Sequence, residues 1–354
     1  MTRWARLGQA LSEAKLDALL VSGLANIRYL TGFTGSSGLL LETVDDAVLF
    51  TDGRYKTQAA QEVRGARVVI ARGRVLNAVL GSVKRRKIRR LGFESGRASF
   101  ELYEALRSEL VGTRVIPVED VIEKLRTVKS EEEIVAIRRA VELNSAVFED
   151  AVRRLRPGRS EVEVAGEIEH QMRVKGGEGP AFETIVAAGP RSALPHARPT
   201  HNLLRENEFI IIDQGVILNG YASDMTRTVA LGGLSRRARR VYQAVLDAQM
   251  AAISAVRAGA QSRHVDREAR TVLQKHGLEK EFVHSTGHGV GLEIHEPPRL
   301  GRGERTVLEA GMVITIEPGA YLEGYGGVRI EDMVLVTERG CEVLTPTSKE
   351  LRVL

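Results

Sequence analysis

The sequence predicts a two-domain protein: a small α/β domain over the first third, then a larger α+β domain. Three observations carry that prediction. The chain has 354 residues, more than one ordinary hydrophobic core accommodates. Its first third alternates helical and strand-like segments at short intervals. From Ala181 onward, short strands and Gly-rich turns take over, interrupted by two helices. With 43% hydrophobic and 27% charged residues, disordered and fibrous classes drop out.

Taken in order, residues 7–16 carry apolar side chains at helical spacing, and Ala18-Leu19-Leu20-Val21 reads as a buried strand. Further strands are expected around 38–41, 47–50, 68–70, 91–93 and 114–117. Residues 120–127 read as a connector, so the domains are set at 1–122 and 123–354. Ser130 followed by Glu131-Glu132-Glu133 predicts an N-cap and a long helix through Arg154, stopped by Pro157-Gly158. Ser160 with Glu163 is a capping-box pattern for a helix reaching about Lys175. The two later helices are expected over 236–258 and 262–276.

Several function classes fall away. No run approaches twenty apolar residues, so no membrane span is expected. Glu13, Lys15 and Asp17 interrupt any apolar secretory region near the N-terminus. A single cysteine, Cys341, rules out an intramolecular disulfide framework and fits a reducing compartment, so a cytoplasmic protein is expected. The net charge of +5 directs attention to the basic run Lys84-Arg85-Arg86-Lys87 with Arg89-Arg90. No aromatic residue is interleaved in it, so it reads as a solvated helix end and no nucleic-acid partner is expected.

The chemistry concentrates in four stretches. In Phe209-Ile210-Ile211-Ile212-Asp213-Gln214-Gly215-Val216 an apolar strand carries one carboxylate. The Asn219-Gly220 turn returns the chain through Ser223-Asp224-Met225-Thr226-Arg227-Thr228. A four-residue loop would place Asp213 opposite Asp224; a two-residue turn would make them diagonal neighbours on one face. Either register sets the Cβ atoms roughly 5–8 Å apart. Two carboxylates about 4 Å apart repel by roughly 4 kcal/mol at an effective dielectric near 20, so something positive belongs between them unless both face water.

His284 through Pro298 holds three of the eight histidines: His284, His288 and His295. Glycines at 287, 289 and 291 argue for backbone that must approach something closely. The His-Glu-x-x-His pattern of single-zinc proteases is missing. A strand ending at Glu317 and a strand over 327–336 complete the set; the latter carries Arg329 and Glu331 on one face and Asp332 on the other. A charge on each face of a central strand requires that at least one be specially satisfied. Four buried-looking carboxylates and an imidazole suit two hard or borderline divalent cations. Two such ions roughly 3.5–4 Å apart can activate water and polarise an amide carbonyl.

In this order and local context, Asp213, Asp224, His288, Glu317 and Glu331 resemble the ligand set of the pita-bread metallopeptidases. Ser192-Ala193-Leu194-Pro195-His196, Thr315-Ile316-Glu317-Pro318-Gly319 and Val328-Arg329-Ile330-Glu331-Asp332 look like the proline-specific branch, prolidase and aminopeptidase P. Asn26 through Gly32 resembles the creatinase-type N-terminal domain, so the likeness spans essentially the whole chain. It implies a creatinase-type α/β domain followed by a pita-bread domain. Asp213 would chelate one metal, His288 and Glu317 the other, and Asp224 and Glu331 would bridge them. Manganese is the expected metal, with cobalt, iron or zinc as alternatives.

The resemblance also gives roles to neighbouring residues. Glu317 would shuttle a proton, His295 would stabilise the oxyanion, and His196 and His284 would position a short proline-containing peptide. Arg329 would brace the ligand strand. The implied reaction is cleavage before proline in Xaa-Pro dipeptides, with longer Xaa-Pro-Yaa peptides as the alternative. Three candidates for the cation that meets the substrate carboxylate stay open: Arg191, Arg198 and an N-domain arginine. A homodimer is implied. A non-catalytic pita-bread binder or a metal-free creatinase-type hydrolase would have lost ligands, and a methionine aminopeptidase would usually lack the N-terminal domain. His170, His264 and His276 are expected at surface or capping positions, His201 in a loop, and Cys341 in a turn.

Overall fold

The computed structural model describes residues 3–354, so Met1 and Thr2 lie outside the described residues. The chain forms two compact units that divide between Arg126 and Thr127.

The first unit runs α1 (Arg3–Glu13), β1 (Ala18–Val21), α2 (Leu24–Thr31), β2 (Leu39–Thr43), β3 (Ala47–Thr51) and α3 (Lys56–Glu62). It continues with β4 (Arg67–Ile70), α4 (Val75–Arg85), β5 (Arg90–Glu94), α5 (Phe100–Glu109) and β6 (Arg114–Val118). The six strands form one sheet in the order β4-β3-β2-β1-β5-β6. Pairings β1–β5, β5–β6 and β3–β4 are parallel, whereas β1–β2 and β2–β3 are antiparallel. Every strand expected in this region is present, because each is a short apolar run that pairs within the sheet; the four inner strands are largely buried, whereas the edge strands β4 and β6 are only partly covered. Ala18, Leu20, Leu41, Phe50, Leu91 and Phe93 form one core with the helices α4 and α5. The basic run closes α4, with Arg86 paired to Asp46, in keeping with a helix end.

The expected connector over 120–127 is instead a helix, α6 (Val121–Thr127). Ile122 is buried, and the hydroxyl of Tyr29 donates to the Leu125 carbonyl at 3.1 Å. Arg126 donates to Asn26 Oδ1 at 2.6 Å, and Asn26 Nδ2 donates to Glu94 and Glu123. These tertiary contacts overrule the short segment's weak local signal. They also explain the Asn26–Gly32 stretch: Asn26 ties three segments together, and Gly32 ends α2 at φ +79°.

The second unit opens with α7 (Glu131–Val152) and α8 (Glu161–Val174), each begun by a complete capping box, Ser130/Glu133 and Ser160/Glu163. There follow β7 (Gly179–Pro180), β8 (Ile185–Ala188), β9 (Glu208–Gln214), β10 (Val216–Leu218), β11 (Tyr221–Ala222) and β12 (Met225–Leu231). Helices α9 (Arg236–Ala255) and α10 (Ser262–Lys275) come next. The chain ends with β13 (Gly287–Gly289), β14 (Glu296–Leu300), β15 (Val313–Ile316), β16 (Gly319–Leu322), β17 (Gly326–Arg329), β18 (Asp332–Val336), β19 (Cys341–Val343) and β20 (Arg352–Val353).

Two sheets dominate, β20-β12-β9-β8 and β14-β13-β15-β18-β19, beside the two-stranded β16-β17 and a small β11-β10-β7 sheet. One core joins α7 and α8 to β8, β9 and β12; another joins α9 and α10 to β15 through β18. Each helix pair thus covers one sheet system.

The single strand expected over 327–336 is two strands in different sheets, broken at Ile330-Glu331. At the break the Glu331 N–H donates to the Thr226 carbonyl at 3.1 Å, which pulls the chain off one sheet and toward β12. The two-faced charge pattern is resolved there too. Asp332 is fully buried and accepts Arg227 at 2.7 Å and Gln249 at 2.8 Å, with Lys349 also against it.

Candidate metal centre and surrounding site

The β9–β12 ladder fixes the first two carboxylates. Asp213 pairs with Thr226 and Gln214 with Met225, while Leu218 pairs with Tyr221 across Asn219-Gly220. Asn219 and Gly220 have φ of +51° and +79°, a two-residue hairpin turn. The diagonal register is therefore the one adopted, and Asp213 and Asp224 share a face. Thr226 Oγ1, two residues past Asp224, donates to Glu331 Oε2 at 2.7 Å.

The remaining donors arrive from the other sheet. The His288 N–H donates to Thr315 Oγ1 at 3.1 Å, and the Glu317 N–H donates to the Thr286 carbonyl at 2.8 Å. This locks the histidine strand to the strand that ends at Glu317. The glycines make that approach possible. A Cβ on Gly287 would lie 2.0 Å from the Thr315 carbonyl oxygen, and one on Gly289 would lie 2.2 Å from that of Pro297. What the Gly-rich backbone approaches so closely is its neighbouring strands.

His288 Nδ1 sits 3.0 Å from the Gly289 carbonyl, which fixes the proton on Nδ1 and leaves the Nε2 lone pair free. Nε2 then faces Asp224 Oδ2 at 3.6 Å and Glu317 Oε1 at 3.4 Å. Burial lowers the pKa of this imidazole, so at neutral pH it is an acceptor facing acceptors. Asp224, His288 and Glu331 each offer a donor atom within 4.8 Å of the others. Burial, followed by the neighbouring carboxylates, raises Asp224 and Glu331 well above the usual carboxylate range. Glu317 is pushed up to about 7, chiefly by burial. One oxygen of Asp213, Oδ1, is buried with no hydrogen-bond partner. A neutral imidazole and three carboxyls whose ionised forms are disfavoured where they crowd together, plus an orphaned buried oxygen, are the complement of a divalent cation.

Arg329 anchors one side of the cluster. Its guanidinium is 3% exposed and donates to Asp213 Oδ2 at 2.6 Å, Tyr321 Oη at 2.8 Å, Thr226 Oγ1 at 3.0 Å and the Pro195 carbonyl at 3.1 Å. His284 Nε2 lies 2.8 Å from the same Tyr321 hydroxyl. Burial, then the charge of Arg329, lowers His284 to about 4, so it is neutral and orients through Tyr321.

Asp213, Asp224, His288, Glu317, Glu331, His196, His284, His295 and Arg329 all line one cavity of about 880 Å³. His196 and His295 are exposed at its edge, and the His295 ring lies 4.4 Å from that of His288. His170, His201, His264 and His276 are outside its lining. Of the candidate cations, Arg191 is held by buried Glu161 at 3.0 Å and is not in the lining, whereas Arg198 lines it but pairs with Glu183 at 3.1 Å.

Three residues escaped the sequence reading. Tyr321 links His284 to Arg329, and only its position two residues past Gly319 could have suggested a role. Arg227 stood inside a quoted motif, but its buried pair with Asp332 joins positions far apart in the chain. Arg299 also lines the cavity, and its register partner on β13 is His288. Strand alternation beyond His295 would have been the signal.

Comparison with known proteins matches this architecture. The sequence profile of the creatinase/prolidase N-terminal domain matches residues 3–128, and that of metallopeptidase family M24 matches residues 135–338. The chain is 35% identical over 350 residues to the Xaa-Pro dipeptidase of Pyrococcus furiosus, covering 99% of each. It resembles the solved structure of Xaa-Pro dipeptidase from Bacillus anthracis with TM-score 0.97 and 39% identity over 99% of each chain. The X-Pro aminopeptidase from Thermotoga maritima gives TM-score 0.91 and 36% identity, over 96% of this chain and 98% of that one. The carboxylate–histidine cluster thus sits in the pita-bread domain of a metallopeptidase, and the chain belongs to family M24 with a creatinase-type N-terminal domain.

Proposed function

We propose that this metallopeptidase hydrolyses the bond preceding proline in Xaa-Pro dipeptides, using two divalent ions, manganese first. The reading is carried by the convergence of Asp213, Asp224, His288, Glu317 and Glu331 on one cavity wall, with lone pairs facing one another. Two ions held by these residues would polarise the scissile carbonyl and acidify a water molecule. Asp213 would hold one ion, His288 and Glu317 the other, and Asp224 and Glu331 would serve both.

The chain's own groups do the rest. The nitrogen of the scissile bond is proline's own and bears no hydrogen, so the leaving amine must receive a proton from outside the substrate. Glu317, steadied by the Thr315 hydroxyl at 3.2 Å, would carry it. His295 at the cavity edge would present an N–H to the developing oxyanion. His284, fixed by Tyr321, and His196 would flank the proline ring. Arg329 would keep Asp213 in place by neutralising its outer oxygen.

The dipeptidase reading is supported by Arg299. Arg198 is engaged by Glu183, whereas Arg299 lines the cavity with an exposed side chain and is suited to a free carboxylate next to the proline. The alternative, release of an N-terminal residue from longer Xaa-Pro-Yaa peptides, is favoured by the likeness to the Thermotoga maritima X-Pro aminopeptidase. Hydrolysis of a Xaa-Pro dipeptide is to be measured beside a Xaa-Pro-Yaa tripeptide, with chelator and with manganese restored. The expected result is manganese-dependent cleavage of the dipeptide by a wide margin; faster tripeptide cleavage would select the alternative, and turnover unaffected by chelator would remove the metal mechanism. The reading includes a cytoplasmic homodimer. The single cysteine fits that compartment, and sedimentation equilibrium tests the assembly.

A further inference from the structure

Among the described residues no hydrogen bond holds the His295 ring, which meets the His288 ring edge-on at 4.4 Å. Where that ring points is therefore set by the backbone that carries it. His295 ends the loop 290–295 between β13 and β14, whose flanking residues Gly289 and Glu296 pair with each other. Burial alternates along β14, so Glu296 turns inward while its neighbours His295 and Pro297 are exposed.

The Glu296 carboxylate fastens the loop from inside. Its Oε1 accepts the Glu293 N–H at 3.1 Å, and the Glu293 carbonyl accepts the Gly291 N–H at 3.1 Å. The Gly291 carbonyl in turn accepts the Ala222 N–H at 2.8 Å, two residues before Asp224. A Cβ on Gly291 would lie 2.6 Å from both carboxylate oxygens, so glycine there is what lets the loop wrap around them.

The other oxygen, Oε2, accepts Lys129 Nζ at 3.2 Å, and the two side chains are only 1% and 3% exposed. Lys129 is itself anchored. Its N–H donates to the Gly311 carbonyl at 2.9 Å, Nζ donates to the Thr127 carbonyl at 3.3 Å, and Val128 bridges to Met312 just before β15. Stability does not account for such a pair, because apolar side chains of similar volume commonly serve a fold as well or better than two buried charges. What the pair adds is directed, charge-assisted contacts that admit one loop geometry.

We propose that the Lys129–Glu296 pair is a positioning device, which sets the loop 290–295 and thereby aims His295 into the cavity. Its effect on rate rests on the reading of His295 as the oxyanion donor.

Lys129→Met/Glu296→Met removes both charges at once and keeps side chains of similar length. In the full-length, metal-loaded protein the melting temperature should be parental or higher, while kcat for a Xaa-Pro dipeptide falls at least about ten-fold and KM stays within about two-fold. In a His295→Ala background the same double substitution should lower kcat no further, because it acts through that ring. Crystal structures of the parent and the double variant read the placement directly, and the His295 ring should leave its contact with His288. Gly291→Ala, which pushes on the same carboxylate and keeps both charges, gives the same readouts if the double variant does not fold. A His295 ring that stays in place, parental kcat in the double variant when His295→Ala is impaired, or an undiminished further loss in the His295→Ala background would overturn the proposal. Parental kcat in His295→Ala with a displaced ring in the double variant would remove the oxyanion role and uphold the placement.

Discussion

At the scale of single residues, the site separates groups that would touch metal or substrate from groups that hold them. Glu317→Gln keeps size and the Thr315 hydrogen bond but cannot relay a proton, so kcat should fall at least a thousand-fold in a peptide-hydrolysis assay. Retained activity would remove Glu317 from the reaction. Arg299→Ala tests substrate recognition separately. Loss of one charge-assisted contact costs roughly 1.5–3 kcal/mol, so KM for a Xaa-Pro dipeptide should rise about 10–100-fold with little change in kcat. An amidated substrate, which lacks the carboxylate, should be indifferent to the substitution. The candidate ligands were legible from sequence because each stands in a distinctive local context, such as Asp224 before Met225-Thr226-Arg227-Thr228. Arg299 and Tyr321 were not, because their importance lies in what they face across strands.

Elements repeat this division between local and distant signals. Capping boxes at Ser130/Glu133 and Ser160/Glu163 involve residues three apart, so they could be read directly, and both are formed. The hairpin turn at Asn219-Gly220 was equally local, yet its register stayed open until the ladder fixed Asp213 opposite Thr226. The break between β17 and β18 had no local mark at all. Residues 327–336 alternate without a Gly or Pro interruption after Gly327, and only the Thr226 carbonyl, a hundred residues away, splits them. Helix α6 was missed for the same reason, since Asn26 and Tyr29 stabilise it from far upstream. Close strand approach is testable as an element property. In Gly287→Ala the new methyl meets the Thr315 carbonyl backbone, which cannot rotate away. Unfolding in urea should show a loss of about 1–3 kcal/mol or more, together with weakened metal retention as His288 moves from Glu317. An unchanged midpoint would show that the two strands can separate without cost.

Across the whole molecule, the carboxylate cluster makes stability depend on metal and pH together. Without cations, Asp224, Glu317 and Glu331 carry raised pKa values in the folded state, with Glu317 near 7. A carboxyl whose folded pKa exceeds its unfolded value contributes stability fully below the unfolded pKa and loses it as pH rises through the folded one. Metal-free protein should therefore lose stability from about pH 4.5 to pH 7 and beyond, by up to about 1.4 kcal/mol per pH unit for each proton involved. Glu42, raised to about 8, adds the same trend whether or not metal is present, so it cancels when the two forms are compared. Bound cations keep the cluster ionised and stabilise the fold by mass action, roughly 2.7 kcal/mol at a hundred times Kd. Thermal unfolding of metal-loaded and chelator-treated protein should consequently diverge as pH rises, the loaded form melting higher by the widest margin above pH 7. Parallel pH profiles would mean that these carboxylates never share a cation, because a bound cation would remove the destabilisation that their ionisation brings as pH rises.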